Sequence, residues 1–129
     1  MDDVISSYIK KLTGHYPDIN SIWLFGSRAD GTAKETSDWD LFVFGNEQGL
    51  VSLRNNSSLK NDSVDILFVV NGDDFVSPWA NKQGKLTEWQ WKEISSTEAS
   101  YIGTKEPEDG TGWYRSEIKE QKAIKVWPE

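Results

Sequence analysis

Three short apolar runs, each closed by turn-forming residues, constrain the fold of this chain more than any other feature. They are residues 21–25 (SIWLF), 39–44 (WDLFVF) and 63–70 (SVDILFVV). Runs of this length that are rich in aromatic and β-branched residues and end at glycine or Asn-Gly are typical of buried strands. The sequence therefore predicts a β-sheet that contains these three segments.

Helical patterns alternate with the strands. Apolar residues recur at spacings of three and four over residues 2–13, and Gly14 is a suitable place for that helix to end. A second, short helix is predicted near residues 47–55, whereas the polar residues 28–37 predict a loop or a single helical turn. This order predicts an α/β (α+β) fold, in which helices pack on a mixed β-sheet.

The C-terminal half has weaker patterns. Asp73-Asp74 follows Asn-Gly and predicts a turn or a helix start. Residues 86–94 alternate with Trp89 and Trp91 on one side, which predicts a half-exposed strand with residues 99–102 as its partner. Residues 103–112 predict a loop, and residues 113–127 favour a strand, with a helix over part of that segment as the alternative.

Composition limits the class of protein. A chain of 129 residues fits a single domain, here with a core at 2–75 and a β-leaning extension at 76–129. The absence of cysteine excludes disulfides and thiolate zinc sites, and it fits a reducing cytoplasm. A net charge of −7 disfavours non-specific nucleic-acid binding, and no apolar run approaches the ~20 residues of a membrane span.

Three aspartates in the predicted strands carry the chemical signal. Asp38 and Asp40 are two residues apart, so on an extended strand both carboxylates project to the same side. Asp65 lies within the third run, where a charge is costly unless something satisfies it. If the two strands are neighbours, the three acids can converge on a two-metal magnesium site of the kind that catalyses phosphoryl transfer.

A small phosphate-binding element precedes these acids. Gly26-Ser27 follows the first strand, and ten residues separate it from Asp38. Glycine lets the backbone approach a ligand closely, and Ser27 offers a hydroxyl and an N–H group to a phosphate oxygen. Arg28 is a candidate for the same phosphates, with an ordinary surface arginine as the alternative.

The stretches LFGSRA (24–29) and SDWDL (37–41) resemble the nucleotidyltransferase superfamily that includes DNA polymerase β, and in particular its minimal stand-alone members. The resemblance covers residues 2–70. It implies that Gly26 and Ser27 hold the triphosphate of a nucleoside triphosphate, and that Asp38 and Asp40 bind Mg²⁺. It further implies that Asp65 completes one of two metal sites, which could also take Mn²⁺, and helps to activate the acceptor hydroxyl.

Other residues have plainer interpretations. Asp62 is a rival to Asp65, but it lies in a turn-like segment, where an acid needs less explanation. The single histidine, His15, follows the helix stop and is expected at the surface or as a cap, so a serine–histidine triad is not supported. Trp89 and Trp91 are expected to cover the sheet rather than to stack on a base.

Three functions remain open at this level. The first is a Mg²⁺-dependent transfer of a nucleoside monophosphate to a hydroxyl of a small molecule or protein, with release of pyrophosphate. The second, suggested by the resemblance, is an antitoxin-like protein that binds or modifies a small helical partner of the HEPN type. The third is a degenerate nucleotide-binding module, although all the expected acids and Gly-Ser are present.

Overall fold

The computed structural model describes residues 3–31, 33–102 and 120–128. Its helices are α1 (Asp3–His15), α2 (Ser27–Asp30) and α3 (Glu47–Arg54), followed by a 3₁₀ turn at Ser57–Leu59. Its strands are β1 (Ser21–Phe25), β2 (Trp39–Phe44), β3 (Val64–Val70), β4 (Asp74–Val76), β5 (Gln83–Lys85), β6 (Lys92–Glu93), β7 (Glu98–Tyr101) and β8 (Gln121–Trp127). Across the described ranges, no helix combines the length and the apolar character that crossing a membrane requires.

All eight strands belong to one mixed sheet. Their order is β5-β4-β3-β2-β1-β8-β7-β6. Strands β2 and β3 are parallel and are connected through α3, whereas the other neighbours are antiparallel. The predicted α+β fold with helices on a mixed sheet is confirmed, as are the strands at 21–25 and 39–44.

The two faces of the sheet have different coverings. One face, which we call the helix face, packs against α1 and α3 through a mainly aliphatic set of buried side chains: Ile5, Ile9, Leu12, Ile22, Leu24, Leu41, Val43, Leu50, Leu53, Ile66 and Phe68. The other, which we call the aromatic face, carries Trp23, Phe25, Phe42, Leu67, Val69, Phe75, Leu86 and Tyr101, with Trp89 and Trp91 packed on it. The division follows from the alternation of side chains along each strand.

The predicted strand at residues 86–94 is wrong. Only Lys92–Glu93 is a strand, and it pairs with β7, the partner that the sequence indicated. The preceding segment folds back on itself, because the N–H of Trp91 donates to the carbonyl of Leu86 at 3.0 Å and Gln90 has φ of 55°. Turns, rather than strand pairing, therefore place both tryptophans on the sheet. The tryptophans cover the sheet as expected.

The remaining C-terminal predictions have mixed outcomes. Asp73 lies in a turn, where its carboxylate accepts from the N–H of Thr87 at 2.9 Å, but Asp74 begins β4 and not a helix. Strand β8 confirms the strand over the described part of residues 113–127. The predicted loop at 103–112 lies outside the described residues.

Candidate active site

The pairing of β2 with β3 places two of the predicted acids side by side. Asp40 is the register partner of Asp65, and on its other side Asp40 pairs with Phe25 at the end of β1. Residues in register project to the same side of a sheet, so the two carboxylates belong to the aromatic face. The two strands are neighbours, which was the condition for their acids to converge.

The turn after β1 contacts Asp40 directly. Gly26 has φ of 73° and ψ of −156°, a conformation that is essentially restricted to glycine. A Cβ atom at this position would collide with the carboxylate of Asp40. Glycine is therefore required here both by the backbone and by the side chain that it approaches.

The helical turn α2 begins next to this contact. It starts at Ser27, and no side chain caps its N-terminus. The carbonyl of Gly26 accepts from the N–H of Ala29 at 3.0 Å, and the carbonyl of Ser27 accepts from the N–H of Ala33 at 3.1 Å. Gly26 and Ser27 thus form a tight turn that ends against the acids.

The electrostatics of the site are dominated by Asp40. Burial, together with the charges of Asp65 and Asp38, raises the pKa of its carboxyl to about 6 against the opposing charge of Lys82. A partly buried carboxylate with two like charges nearby favours its protonated form unless a cation compensates. This set of oxygen donors fits a hard divalent cation.

The other two acids are more open than the sequence suggested. Asp65 is exposed at the second position of β3, so the prediction that its charge would be costly in mid-strand is wrong. Asp38 is exposed too, just before β2, and the rival Asp62 lies exposed in the turn before β3. Within residues 3–31, 33–102 and 120–128, no three acid, histidine or cysteine side chains form a group that could already hold a metal ion.

Comparison with known families agrees with this geometry. Residues 7–88 match the family model described as Polymerase beta, Nucleotidyltransferase. The chain belongs to this family. The match contains the glycine turn, all three aspartates and strands β1 to β5, and so extends beyond the segment whose resemblance is visible in the motifs. No curated protein matches the sequence.

In this member of the family, Arg28 braces the segment that leads to Asp38. Its guanidinium donates to the carbonyl of Ser37 at 2.9 Å and to the carbonyl of Glu35 at 3.2 Å. It also lies over the ring of Trp39, 4.4 Å from the ring centroid. No local pattern indicated this bracing contact, and phosphate binding by Arg28 remains a prediction.

A residue outside the matched segment holds the glycine turn after β1. The N–H of Gly26 donates to the hydroxyl of Tyr101 on β7 at 2.9 Å, and that hydroxyl donates to Oε1 of Gln121 on β8 at 3.1 Å. Tyr101 is buried and stacks on Trp89, with ring centroids 5.8 Å apart. Sequence reasoning missed this role, because the contact joins residues 75 positions apart.

His15 has the plain role that was expected. Its side chain is exposed, and its Nδ1 lies 2.9 Å from the carbonyl of Lys11 within α1. Histidine therefore takes no part in the site.

Proposed function

We propose that the protein transfers a nucleoside monophosphate from a nucleoside triphosphate to an acceptor hydroxyl and releases pyrophosphate. The observation that carries the proposal is the register of Asp40 with Asp65, directly beside the turn at Gly26. Family membership supports the same reaction class. The lack of cysteine fits a reaction in the cytoplasm, where nucleoside triphosphates are available.

Each residue then has a distinct task. Asp38, Asp40 and Asp65 would hold two Mg²⁺ ions, with Mn²⁺ as an alternative, and the bound cations would neutralise charge on the phosphates. The N–H groups at the start of α2 and the hydroxyl of Ser27 would hold the phosphates of the leaving pyrophosphate. Tyr101 would keep Gly26 in the conformation that this contact needs.

The bond changes are those of an in-line displacement. The acceptor oxygen forms a bond to the α-phosphorus, while the bond from that phosphorus to the bridging oxygen of pyrophosphate breaks. Asp65 takes the hydroxyl proton, a role that its exposure permits. The electron pair of the broken bond leaves with pyrophosphate.

The experiment offers ATP, CTP, GTP and UTP, each labelled at the α-phosphate, to the purified protein with Mg²⁺ or Mn²⁺ and a cell lysate. We expect one labelled product that is missing when the variant Asp40→Asn replaces the native protein. The matched control is Asp62→Asn, which removes the same charge from a nearby exposed turn. Product formation that is equal in Asp40→Asn and native protein would contradict the proposal.

The identity of the labelled product separates the alternatives. A labelled small molecule supports a metabolic acceptor, whereas a labelled small protein that co-purifies with the chain favours the antitoxin-like function. If no nucleotide, metal and lysate combination gives a labelled product, a degenerate nucleotide-binding module is favoured instead.

A further inference from the structure

A cleft with an unusual charge lies near the start of β3. It has a volume of about 840 Å³ and runs between the end of α3 with the 3₁₀ turn on one side and residues 76–83 on the other. Arg54, Lys60 and Lys82 line it, and no carboxylate of the described residues is among its lining. The chain has a net charge of −7, so the charge of this cleft is opposite in sign to that of the whole chain. Its volume is in the range of small-molecule sites.

The ion pairing of these three cations differs from that of other basic residues. Across the part of the chain that the structure describes, no ion pair involves Arg54, Lys60 or Lys82. By contrast, Lys85 pairs with Asp74 at 2.7 Å and Lys122 with Glu98 at 3.7 Å. Like charges that share a cleft repel one another, and a bound anion would remove that repulsion.

The neutral lining residues suit a phosphate group. Ser57, Ser77 and Asn81 add two hydroxyls and a carboxamide to the cleft. Phosphate oxygens accept hydrogen bonds from such groups and from arginine and lysine, so the full set offers charge together with neutral donors. A purely apolar ligand would leave these groups without partners.

Strand order places the cleft on a definite side of the acids. β4 runs antiparallel to β3 and its last residue, Val76, pairs with Phe68, so the chain beyond Val76 continues towards the start of β3, where Asp65 lies. The N–H of Ser77 donates to the carbonyl of Lys82 at 2.8 Å and closes this segment. Lys82 lies at this end of the sheet too, because the next residue, Gln83, pairs with Val76.

The glycine turn lies on the opposite side, since β1 borders β2 while β4 borders β3. In an in-line displacement, the attacking and leaving oxygens stand on opposite sides of the phosphorus. If pyrophosphate leaves at Gly26-Ser27, the acceptor approaches from the side of Asp65 and Lys82. Lys82, on that side, also lines the basic cleft.

We propose that the cleft binds the phosphate group of a phosphorylated small-molecule acceptor through Arg54, Lys60 and Lys82. The acceptor role rests on the proposed nucleotidyl transfer, whereas phosphate binding in the cleft does not depend on it. Two experiments therefore test the two parts separately.

The first experiment measures phosphate binding without metal or nucleotide. Inorganic phosphate is titrated into isotope-labelled protein in EDTA at constant ionic strength, and backbone amide shifts are followed by NMR. We expect saturable shifts around residues 54–60 and 77–83, with binding at least tenfold weaker in Arg54→Gln/Lys60→Gln. The control Lys10→Gln/Lys11→Gln removes the same charge from exposed positions of α1 and should bind like the native protein.

Two outcomes overturn this part of the proposal. One is the absence of saturable shifts at the cleft. The other is equal weakening in the cleft variant and the α1 control, which would show a general charge effect. An unchanged amide spectrum of the cleft variant in the absence of phosphate establishes that a loss of binding does not reflect unfolding.

The second experiment tests the acceptor. The small-molecule fraction of a lysate is treated with phosphatase, the phosphatase is removed, and labelled transfer is compared with the untreated fraction. We expect the labelled product to be lost, and the cleft variant to raise the KM for the untreated fraction at least tenfold while the KM for the triphosphate changes less than twofold. A product that survives phosphatase treatment, or a labelled protein or nucleic acid, overturns the acceptor role.

Failure of the proposed function is a separate result. If neither fraction gives a labelled product with native protein, nucleotidyl transfer fails and the acceptor role fails with it. The phosphate titration still decides whether the cleft is an anion site.

Discussion

The helix face and the aromatic face of the sheet differ in their residues and in their roles. On the helix face, fully buried residues such as Leu12, Ile22 and Leu41 meet without a charged partner. On the aromatic face, β2 and β3 carry Asp40 and Asp65 near their first residues, and the covering side chains come largely from residues beyond β3. One face therefore holds the strands in register, and the other uses that register to bring like charges together.

Like charges in contact oppose folding, so the acids depend on stability that is supplied elsewhere. The helix face can supply it, because each fully buried aliphatic side chain contributes roughly 1.5–3 kcal/mol. The comparison predicts that changes on the two faces separate activity from stability. The predictions below follow that separation from the largest effect to the smallest.

Asp40→Asn should have the largest effect, and this effect should be on activity and not on stability. We expect nucleotidyl transfer to drop by about 10³-fold or more, because the amide removes a charged oxygen ligand at the centre of the site. The free energy of unfolding without metal should not decrease. Single-turnover kinetics measure transfer, and urea unfolding measures stability. A variant that unfolds at a lower urea concentration than the native protein would contradict the separation of activity from stability.

Leu12→Ala should show the opposite pattern on the helix face. Leu12 is 0% exposed, so its truncation leaves a cavity that should cost about 2–5 kcal/mol of unfolding free energy. Transfer per folded molecule should be unchanged. The control Val51→Ala, at a position 49% exposed on α3, should change stability by less than about 0.5 kcal/mol. A loss of transfer that exceeds the loss of folded protein would count against the separation.

Two tyrosines allow the sharpest comparison between the faces. The hydroxyl of Tyr101 accepts a hydrogen bond from the N–H of Gly26, next to Asp40. On the helix face, the hydroxyl of Tyr8 on α1 donates to the carbonyl of Leu59 at 2.7 Å. Phenylalanine at either position should cost about 1 kcal/mol of stability. Only Tyr101→Phe should also lower kcat, by several-fold, because it frees the turn that holds the phosphates. Equal kcat values in the two variants would show that Tyr101 is merely structural.

The smallest expected effect is the change of unfolding free energy with pH that the titration of Asp40 causes. Its folded pKa, about 6, lies above its usual value, so between about pH 4 and 6 the native state binds more protons than the unfolded state. The unfolding free energy of the metal-free protein should therefore fall by about 1 kcal/mol as pH rises through 6, a value reduced because solvent screens a carboxylate that is only partly buried. In Asp40→Asn this fall should be absent. A fall of the same size in both proteins would assign it to other groups.

Local patterns were sufficient for the first half of the fold. The runs at 21–25 and 39–44 are the strands β1 and β2, since a short apolar segment between turn residues leaves the chain few alternatives. The helix predicted at 2–13 forms, although it continues through Gly14 to His15. Within the site, the spacing of Gly26 and Asp40 was informative because adjacent strands bring the two together.

The rest depends on contacts between distant parts of the chain. The alternation around Trp89 and Trp91 has the period of a strand, but tertiary packing on the aromatic face is satisfied by turns instead. Strands β4 and β5 have three residues each, too few for any periodicity to identify. Tyr101 and Lys82 reach the site only through strand order, which no local pattern specifies.

The position of β8 has a consequence for biosynthesis. Because β8 pairs with β1, the strand that carries the glycine turn keeps an open hydrogen-bonding edge until the chain has been synthesised as far as Trp127. A nascent chain that ends near residue 88 contains the whole family segment and still has that edge uncovered, ready to join another strand. Productive folding must therefore await the synthesis of β8.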